Sequence, residues 1–323
     1  MRTVRSSSND VPVKSTAGSD AGLVSIIVAT RGDRPALRDA LRSVRVFSGI
    51  LDVEVMVLCP QTTPLVVSAA QAVGANLVIE PDTGLYDAWN RGIARSAGQV
   101  IGFLNDDDRY LPGAVEVARL ALAGVDIAVG GARVVDGGAV LCEIRPFSLQ
   151  DRRFVVGVPS AINRAFIRRE LFSKARIGAF NSSLRIAGDK DWVARLVLEG
   201  GYSESLVNAL AYEYSQHGES LTYHGNLPSE TQTRERVAVF ASLARGSRTR
   251  LSPQVWLGGA LAMSIQRHFR AASQHRGSES AGDRLAPRHL LLMMLWFIVD
   301  GWRLPFTRRR VIRAGAGMSG SRD

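Results

Sequence analysis

The sequence predicts an α/β fold with a mixed, mainly parallel sheet, followed by a helical extension. Between residues 23 and 124, short apolar runs typical of buried strands alternate with amphipathic segments typical of helices. A polar and acidic cluster follows one of these strands, at the end where ligands bind in such sheets. The length of 323 residues accommodates one domain of roughly 200–250 residues and an appendage.

Composition narrows the range of partners. Hydrophobic residues make up 46% of the chain, which is sufficient for a globular core, and the net charge is +10. Such a charge favours phosphates, anionic lipids or nucleic acid. We expect no nucleic-acid partner, because the chain has neither zinc-finger spacing nor an RNA-binding aromatic signature. Cys59 and Cys142 lie in apolar, strand-like runs, so we expect two buried free thiols.

The chain opens with a polar segment, residues 1–22, which predicts a disordered leader. It has no apolar core of the kind found in signal peptides, so we expect a cytoplasmic protein. Pro35 suits the first turn of a helix that Asp33 could cap. The other elements expected in the first half are strands at 23–30, 53–58 and 76–79 and a helix at 64–73.

The next two elements carry the strongest signals. Leu85, Trp89 and Ile93 recur every four residues, which predicts a helix with one buried stripe that ends at Gly98. The apolar run 100–104 then predicts a buried strand. Further on, we expect a helix at 112–124, a hairpin at 126–144 turning at residues 136–138, a strand and helix at 158–172, and a helix from 186 to 200.

Asn105 and three successive carboxylates, Asp106, Asp107 and Asp108, follow the strand at 100–104. Adjacent carboxylates repel one another, so their placement needs a physical reason. A hard cation such as Mg²⁺ or Mn²⁺ would supply one, since it takes oxygen ligands from one or two carboxylates and from substrate phosphates. The alternative is a solvated acidic turn before the next helix.

Two segments resemble a known family. Residues 80–92 read Glu-Pro-Asp-x-Gly-x-Tyr-Asp-Ala-x-Asn-x-Gly, and residues 98–110 read Gly-x-x-x-x-Phe-Leu-Asn-x-Asp-Asp-x-Tyr. This pattern is similar to that of the family 2 glycosyltransferases with the GT-A fold, particularly the bacterial subgroup that builds surface polysaccharides. The resemblance covers about residues 23–222. It implies a Rossmann-like nucleotide-diphospho-sugar transferase domain at 23–225, with a helical extension at 226–323.

The resemblance also implies a set of functional residues. Asp107 and Asp108, with His217 near the end of the domain, would hold Mg²⁺ or Mn²⁺. Asp189 matches the family's catalytic base at a helix start, with Asp191 as the near alternative; a carboxylate there could deprotonate the acceptor hydroxyl. The positions implied for the nucleotide-sugar are Thr30, Asp33, Asp82, Tyr86, Asp87, Asn90, Arg91, Asp106 and Asp107.

The chain departs from the family pattern at several places. Residues 29–32 read Ala-Thr-Arg-Gly, where members commonly show Pro-Thr-Tyr-Asn. Cys59 and the residues after it replace an acidic motif that would contact the base, so the base of the donor stays open, with Asp33 as a substitute contact. Ile162 and Asn163 replace a His-Gln pair.

The departures at Gln61 and Ile162 leave open a non-catalytic membrane-associated scaffold that keeps the fold. A nucleotidyltransferase also remains open, because such an enzyme likewise holds a metal and phosphates at strand ends.

The last part of the chain is apolar and basic. Residues 290–299 form an unbroken apolar run, which is too short to span a bilayer because spanning takes roughly 20 residues. Flanking tryptophans and arginines make residues 285–313 suited to an anionic membrane surface, on the inner face of the cytoplasmic membrane. Burial against the catalytic domain or in a homodimer is the alternative. A membrane-bound enzyme would suit a saccharide or lipid-linked acceptor.

Overall fold

The computed structural model describes residues 22–149 and 162–217, with short stretches between 223 and 239. The helices in these parts are α1 (Leu37–Ser43), α2 (Pro64–Gln71), α3 (Leu85–Arg95), α4 (Ala114–Leu122) and α5 (Gly188–Glu199). The strands are β1 (Val24–Ala29), β2 (Val53–Cys59), β3 (Asn76–Ile79), β4 (Val100–Asn105), β5 (Arg109–Tyr110), β6 (Ile127–Asp136), β7 (Ala139–Ile144), β8 (Ala165–Arg168), β9 (Glu204–Gln216), β10 (Tyr223–His224) and β11 (Leu227–Pro228).

One mixed sheet has the strand order β3-β2-β1-β4-β8-β6-β9-β5, with β7 paired to β6. Its first four strands are parallel. Ala29, the last residue of β1, is in register with Leu58 on β2 and with Asn105 on β4. The carboxyl ends of these three strands therefore lie at one edge of the sheet.

The second half of the sheet returns to that edge. Strand β8 is antiparallel to both β4 and β6, whereas β9 is parallel to β6. Two reversals followed by a parallel pair make β9 run in the same direction as β4. Its carboxyl end, and His217 directly after it, consequently come to the edge where β1 and β4 end.

Apolar side chains cover both faces of the sheet, as the alternation of strands and helices predicts. Ile26 and Val28 of β1 face a cluster that includes α1, α2 and α4, whereas Ile27 between them faces α3 and α5. Trp89 of α3 is buried, as expected, and its ring lies 4.4 Å from that of Phe103 on β4. The α/β class is therefore confirmed.

Several local predictions are wrong in informative ways. Helix α1 has Ala36 as its N-cap, with no side-chain hydrogen bond, so Asp33 does not cap it. Helix α3 ends at Arg95 rather than at Gly98. Gly98 instead allows a close approach, because a Cβ there would lie 2.6 Å from the backbone nitrogen of Ser25. Cys59 is buried as expected, but Cys142 is exposed, as are its neighbours along β7.

The hairpin prediction is confirmed, since Gly137 and Gly138 join β6 to β7 with φ of 54° and 88°. After β8 the chain forms a short 3₁₀ helix, Arg169–Ser173, instead of the α-helix expected there. The leader to residue 21 and the basic segment 285–313 lie outside the described residues. Within the described part, the helices are too short or too polar to cross a membrane.

Candidate active site

The acidic run lies at the carboxyl edge of the sheet, and its first carboxylate joins β4 to β1. The Thr30 hydroxyl donates a 2.7 Å hydrogen bond to Oδ2 of Asp106, and the Gly32 N–H donates to the Thr30 hydroxyl oxygen at 2.9 Å. Burial, with the charge of Asp107 in the same direction, raises the pKa of Asp106. The loop after β1 is thereby fixed against the end of β4.

Asp107 is the point where three chain segments converge. Nη1 of Arg34, from the loop after β1, lies 2.5 Å from its Oδ2. Nε2 of His217, from the end of β9, lies 2.9 Å from the same oxygen. The Asp107 side chain is 16% exposed, so a ligand from solvent can reach it. Arg34 had no role in the sequence prediction, although its guanidinium is the cationic group nearest to this carboxylate in the described contacts.

The environment of Asp108 does not favour the predicted role of this residue as a metal ligand. It is fully buried, and its carboxylate accepts hydrogen bonds from the Tyr212 hydroxyl at 2.8 Å, the Ser215 N–H at 2.8 Å and the Asn105 side-chain amide at 2.8 Å. Burial and the charge of Asp107 raise its pKa to about 7, against these three hydrogen bonds. This environment makes Asp108 a buried link between β4 and β9.

The remaining donors fit a divalent cation that shares its ligands with a substrate. No cluster of three or more His, Cys, Asp or Glu able to hold a metal occurs among the described residues. Asp107 and His217 nevertheless present a carboxylate and an imidazole at one point, while Arg34 neutralises the carboxylate. Mg²⁺ is commonly held by one or two carboxylates together with phosphates and water, which matches this small donor set.

The polar residues at the start of α3 mainly organise the turn before that helix. Oδ1 of Asp82 accepts the Gly84 N–H at 3.0 Å, and Gly84 has a φ of 140°. Burial raises the pKa of Asp82. Oδ2 of Asp87 reaches back to the Thr83 N–H at 2.9 Å. These contacts shape the turn that leads into the helix, whose N-cap is Gly84.

Asn90 and Arg91, which were expected to contact the nucleotide-sugar, instead bind other groups of the protein. The Asn90 side chain donates to the carbonyl of Phe180 at 2.9 Å and accepts the Phe180 N–H at 2.9 Å. Arg91 pairs with Asp87 at 3.1 Å and with Glu80 at 3.1 Å. Burial opposes ionisation of Asp87, but its bonds to the Thr83 N–H and to Arg91 lower its pKa overall.

The predicted catalytic base lies at the start of α5 and contacts α3. Asp189 is 4% exposed, and its Oδ1 lies 3.2 Å from the Tyr86 hydroxyl. That hydroxyl also lies 2.8 Å from the carbonyl of Ile186. Burial and the charge of Asp189 hold the pKa of Tyr86 well above its ordinary value, so the phenol stays protonated and donates. A Cβ at Gly188 would lie 2.5 Å from the Tyr86 ring, so this contact requires glycine.

Asp191, the alternative base, has a different partner. Its Oδ2 lies 2.9 Å from Nη2 of Arg195, one turn along α5, and the same nitrogen donates to the carbonyl of Ala179 at 2.9 Å. Asp191 is thus part of an ion pair that ties α5 to the preceding loop, while Asp189 faces α3.

Solved structures of low sequence identity share this fold. Residues of S. aureus TarS 1-349 in complex with UDP-GlcNAc superpose with a TM-score of 0.55 at 14% identity, covering 86% of this chain and 79% of that chain. The mannosyltransferase PcManGT from Pyrobaculum calidifontis, in complex with GDP-Man and Mn²⁺, gives a TM-score of 0.51 at 17% identity and covers 88% of each chain. The protein is therefore of the GT-A type.

Sequence comparison identifies the family. Residues 25–186, half of the chain, match the sequence model described as "Glycosyl transferase family 2". The chain belongs to this family. Two Mycobacterium tuberculosis proteins, each named an uncharacterized glycosyltransferase, are 34% identical over 132 residues. The alignment covers 37% of this chain and 46% of each relative, so the chain spans about half the length of the curated relatives it matches.

Proposed function

We propose that the protein is a cation-dependent, inverting glycosyltransferase. It would move a sugar from a nucleotide-diphospho-sugar to a saccharide or lipid-linked acceptor, in the synthesis of cell-surface polysaccharide. The observation that carries the proposal is the convergence of Arg34 and His217 on Asp107 at the carboxyl edge of the sheet. This is the edge at which open α/β sheets bind their ligands.

The nucleotide part of the donor would lie across the ends of β1 and β4. Thr30 and Asp106 are already fixed to each other there, which supports a preformed contact surface for the ribose and phosphates. Asp33 is exposed beside this surface and remains the substitute contact for the base. The complexes of the structural neighbours with UDP-GlcNAc and GDP-Man make donors of this chemical class the first to test.

The diphosphate would leave toward Asp107. Asp107 and His217 would hold Mg²⁺ or Mn²⁺, and the ion, when bound, neutralises charge that develops on the diphosphate. Arg34 contributes a further positive charge once its guanidinium turns from the carboxylate to the phosphate oxygens. The Mn²⁺ in the mannosyltransferase neighbour supports a divalent ion in this class of fold.

Asp189 would accept the proton of the acceptor hydroxyl. As that proton leaves, the acceptor oxygen forms a bond to the anomeric carbon, and the bond from this carbon to the phosphate oxygen breaks. One displacement from the opposite face inverts the anomeric configuration and needs no covalent intermediate. The hydrogen bond from Tyr86 holds the carboxylate of Asp189 in place at the start of α5.

The acceptor would be brought to the site at a membrane surface. The basic, apolar segment 285–313 supports peripheral binding to an anionic inner leaflet, although it lies outside the described residues. Sedimentation with phosphatidylglycerol vesicles, compared with phosphatidylcholine vesicles, tests this part. No sedimentation with either lipid, or binding that is unchanged after deletion of residues 285–323, would remove the membrane role of this segment and favour its burial in a homodimer.

The products formed from a panel of nucleotide-sugars test the reaction. With Mn²⁺ present, we expect one donor to yield a nucleoside diphosphate and a glycosylated acceptor, and EDTA to stop both. Release of pyrophosphate from a nucleoside triphosphate supplied with a sugar 1-phosphate would instead indicate a nucleotidyltransferase. No nucleotide product from any donor would indicate the non-catalytic scaffold.

A further inference from the structure

A buried carboxylate from outside the predicted domain holds the backbone that leads to the base. Glu235 lies ten residues beyond the expected boundary at 225 and is 8% exposed. Its Oε1 accepts the Arg185 N–H at 2.8 Å, and its Oε2 accepts the N–H groups of Ile186 and Ala187 at 2.8 and 2.9 Å. Three consecutive backbone donors thus meet one side chain.

These donors are the backbone groups at the entry of α5. Ala187 is the N-cap of that helix and has no side-chain capping bond of its own. The N–H of the N-cap residue has no partner within the helix, and a carboxylate is favoured at this end by the helix dipole. Glu235 supplies this carboxylate from 48 residues further along the chain.

Tyr86 holds the same peptide group from the opposite side. The peptide between Ile186 and Ala187 offers its carbonyl to the Tyr86 hydroxyl at 2.8 Å and its N–H to Glu235 at 2.9 Å. Asp189 follows two residues later and contacts the same hydroxyl. The orientation of this peptide therefore fixes where α5 begins and where the Asp189 carboxylate lies.

We infer that Glu235 is a positioning residue for the Asp189 base, an inference that rests on the proposed function. Together with Tyr86 it sets the approach of the carboxylate to the acceptor hydroxyl. A displacement of about 1 Å at a reacting group can lower a rate by roughly 10²-fold. The chain beyond residue 225 then contributes to catalysis without touching the substrate.

Glu235→Ala in the full-length chain, with Glu199→Ala as the matched control, tests this role. Glu199 is a carboxylate at the other end of α5, paired with Arg176 at 3.5 Å. We expect Glu235→Ala to speed hydrogen exchange at the amides of residues 185–187 and to lower kcat for transfer by about 10²-fold. The dissociation constant of the donor should change by less than about twofold, and the control should match the wild type.

Glu235→Gln keeps the size of the side chain, so this second variant separates an effect on catalysis from a general loss of folding. One of its terminal atoms becomes a donor that faces a backbone N–H, so we expect kcat to fall, with a melting temperature closer to that of the wild type than Glu235→Ala has. In a Tyr86→Phe background, the Glu235→Gln substitution should lower kcat by a smaller factor than it does in the wild type, because both side chains hold the same peptide group.

Three results would overturn the inference. The first is rapid exchange at residues 185–187 in the wild type, and the second is an unchanged kcat in Glu235→Ala. The third is a parallel loss of donor affinity and kcat, which would make Glu235 a purely structural residue. A wild type that transfers no sugar from any donor would overturn the proposed function itself, and the exchange data would still decide whether Glu235 holds the backbone.

Discussion

Asp106, Asp107 and Asp108 are consecutive carboxylates that meet three different environments. Asp106 accepts a hydrogen bond from Thr30, Asp107 faces Arg34 and His217, and Asp108 is enclosed beneath them. Only Asp107 combines partial exposure with two cationic or metal-binding neighbours. At the scale of single residues, the proposed chemistry therefore depends on Asp107.

Asp107→Asn should weaken Mn²⁺ binding by at least about tenfold, because an amide carries no charge to attract the ion. Titration with Mn²⁺ in the presence of a nucleoside diphosphate, followed by electron paramagnetic resonance, measures this. Asp39→Asn is the control, since Asp39 is an exposed carboxylate paired with Arg42 and Arg109. Equal Mn²⁺ affinity in Asp107→Asn and in the wild type would remove Asp107 from the site.

Asp108 predicts a pH dependence of stability. Its pKa of about 7 in the folded protein lies above the ordinary value of 3.8, so between these values the folded state keeps a proton that the unfolded state has lost. The contribution of Asp108 is full below about pH 4 and is lost as the pH rises to about 7, at up to about 1.4 kcal/mol per pH unit.

Urea unfolding of the wild type and of Asp108→Asn, between pH 4 and 8 in EDTA, isolates this contribution. The wild type should lose stability relative to the variant as the pH rises, because asparagine does not titrate. A constant difference between the two proteins across this range would show that Asp108 stays ionised in the folded state.

Helices α3 and α5 act together at the scale of elements. Tyr86 joins α3 to the start of α5, and Asn90, one turn further along α3, holds the backbone of Phe180 in the loop before α5. The sequence motif around residues 80–92 thus supports the position of the predicted base as well as any contact with a donor.

Asn90→Ala should lower the free energy of unfolding by about 2 kcal/mol, because it leaves the N–H and the carbonyl of Phe180 without their partner. Donor affinity should stay within about twofold of the wild type, which a titration of the variant with nucleotide-sugar measures. A large loss of donor affinity with unchanged stability would restore the phosphate contact that the sequence suggests for Asn90.

How much of the structure can be predicted from the sequence also depends on scale. The strand 100–104, the buried Trp89 and the turn at Gly137 and Gly138 follow from local patterns, and all three are confirmed. The environment of Asp108 does not follow from a local pattern. It depends on Tyr212, which lies 104 residues further along the chain and reaches Asp108 through the pairing of β9. The Glu235 contacts are likewise non-local, so spacing could not indicate them.

At the scale of the whole molecule, the direction of the strands assembles the site. Two antiparallel steps across β8 turn β6 and β9 back into the direction of β4, which brings His217 to an edge formed more than a hundred residues earlier in the chain. The family match ends at residue 186, before both Asp189 and His217. Helix α5 therefore supplies the proposed base, and the end of β9 supplies the proposed second metal ligand.

A crystal soaked with Mn²⁺ and a nucleoside diphosphate tests the central claim most directly, because anomalous scattering locates the manganese. The account predicts one ion at a coordination distance of about 2.1 Å from an oxygen of Asp107, bound also to His217 and to the diphosphate, with Arg34 turned away from the carboxylate. Nucleotide bound at the sheet edge with no ion beside Asp107, and with Arg34 still paired to it, would contradict the account.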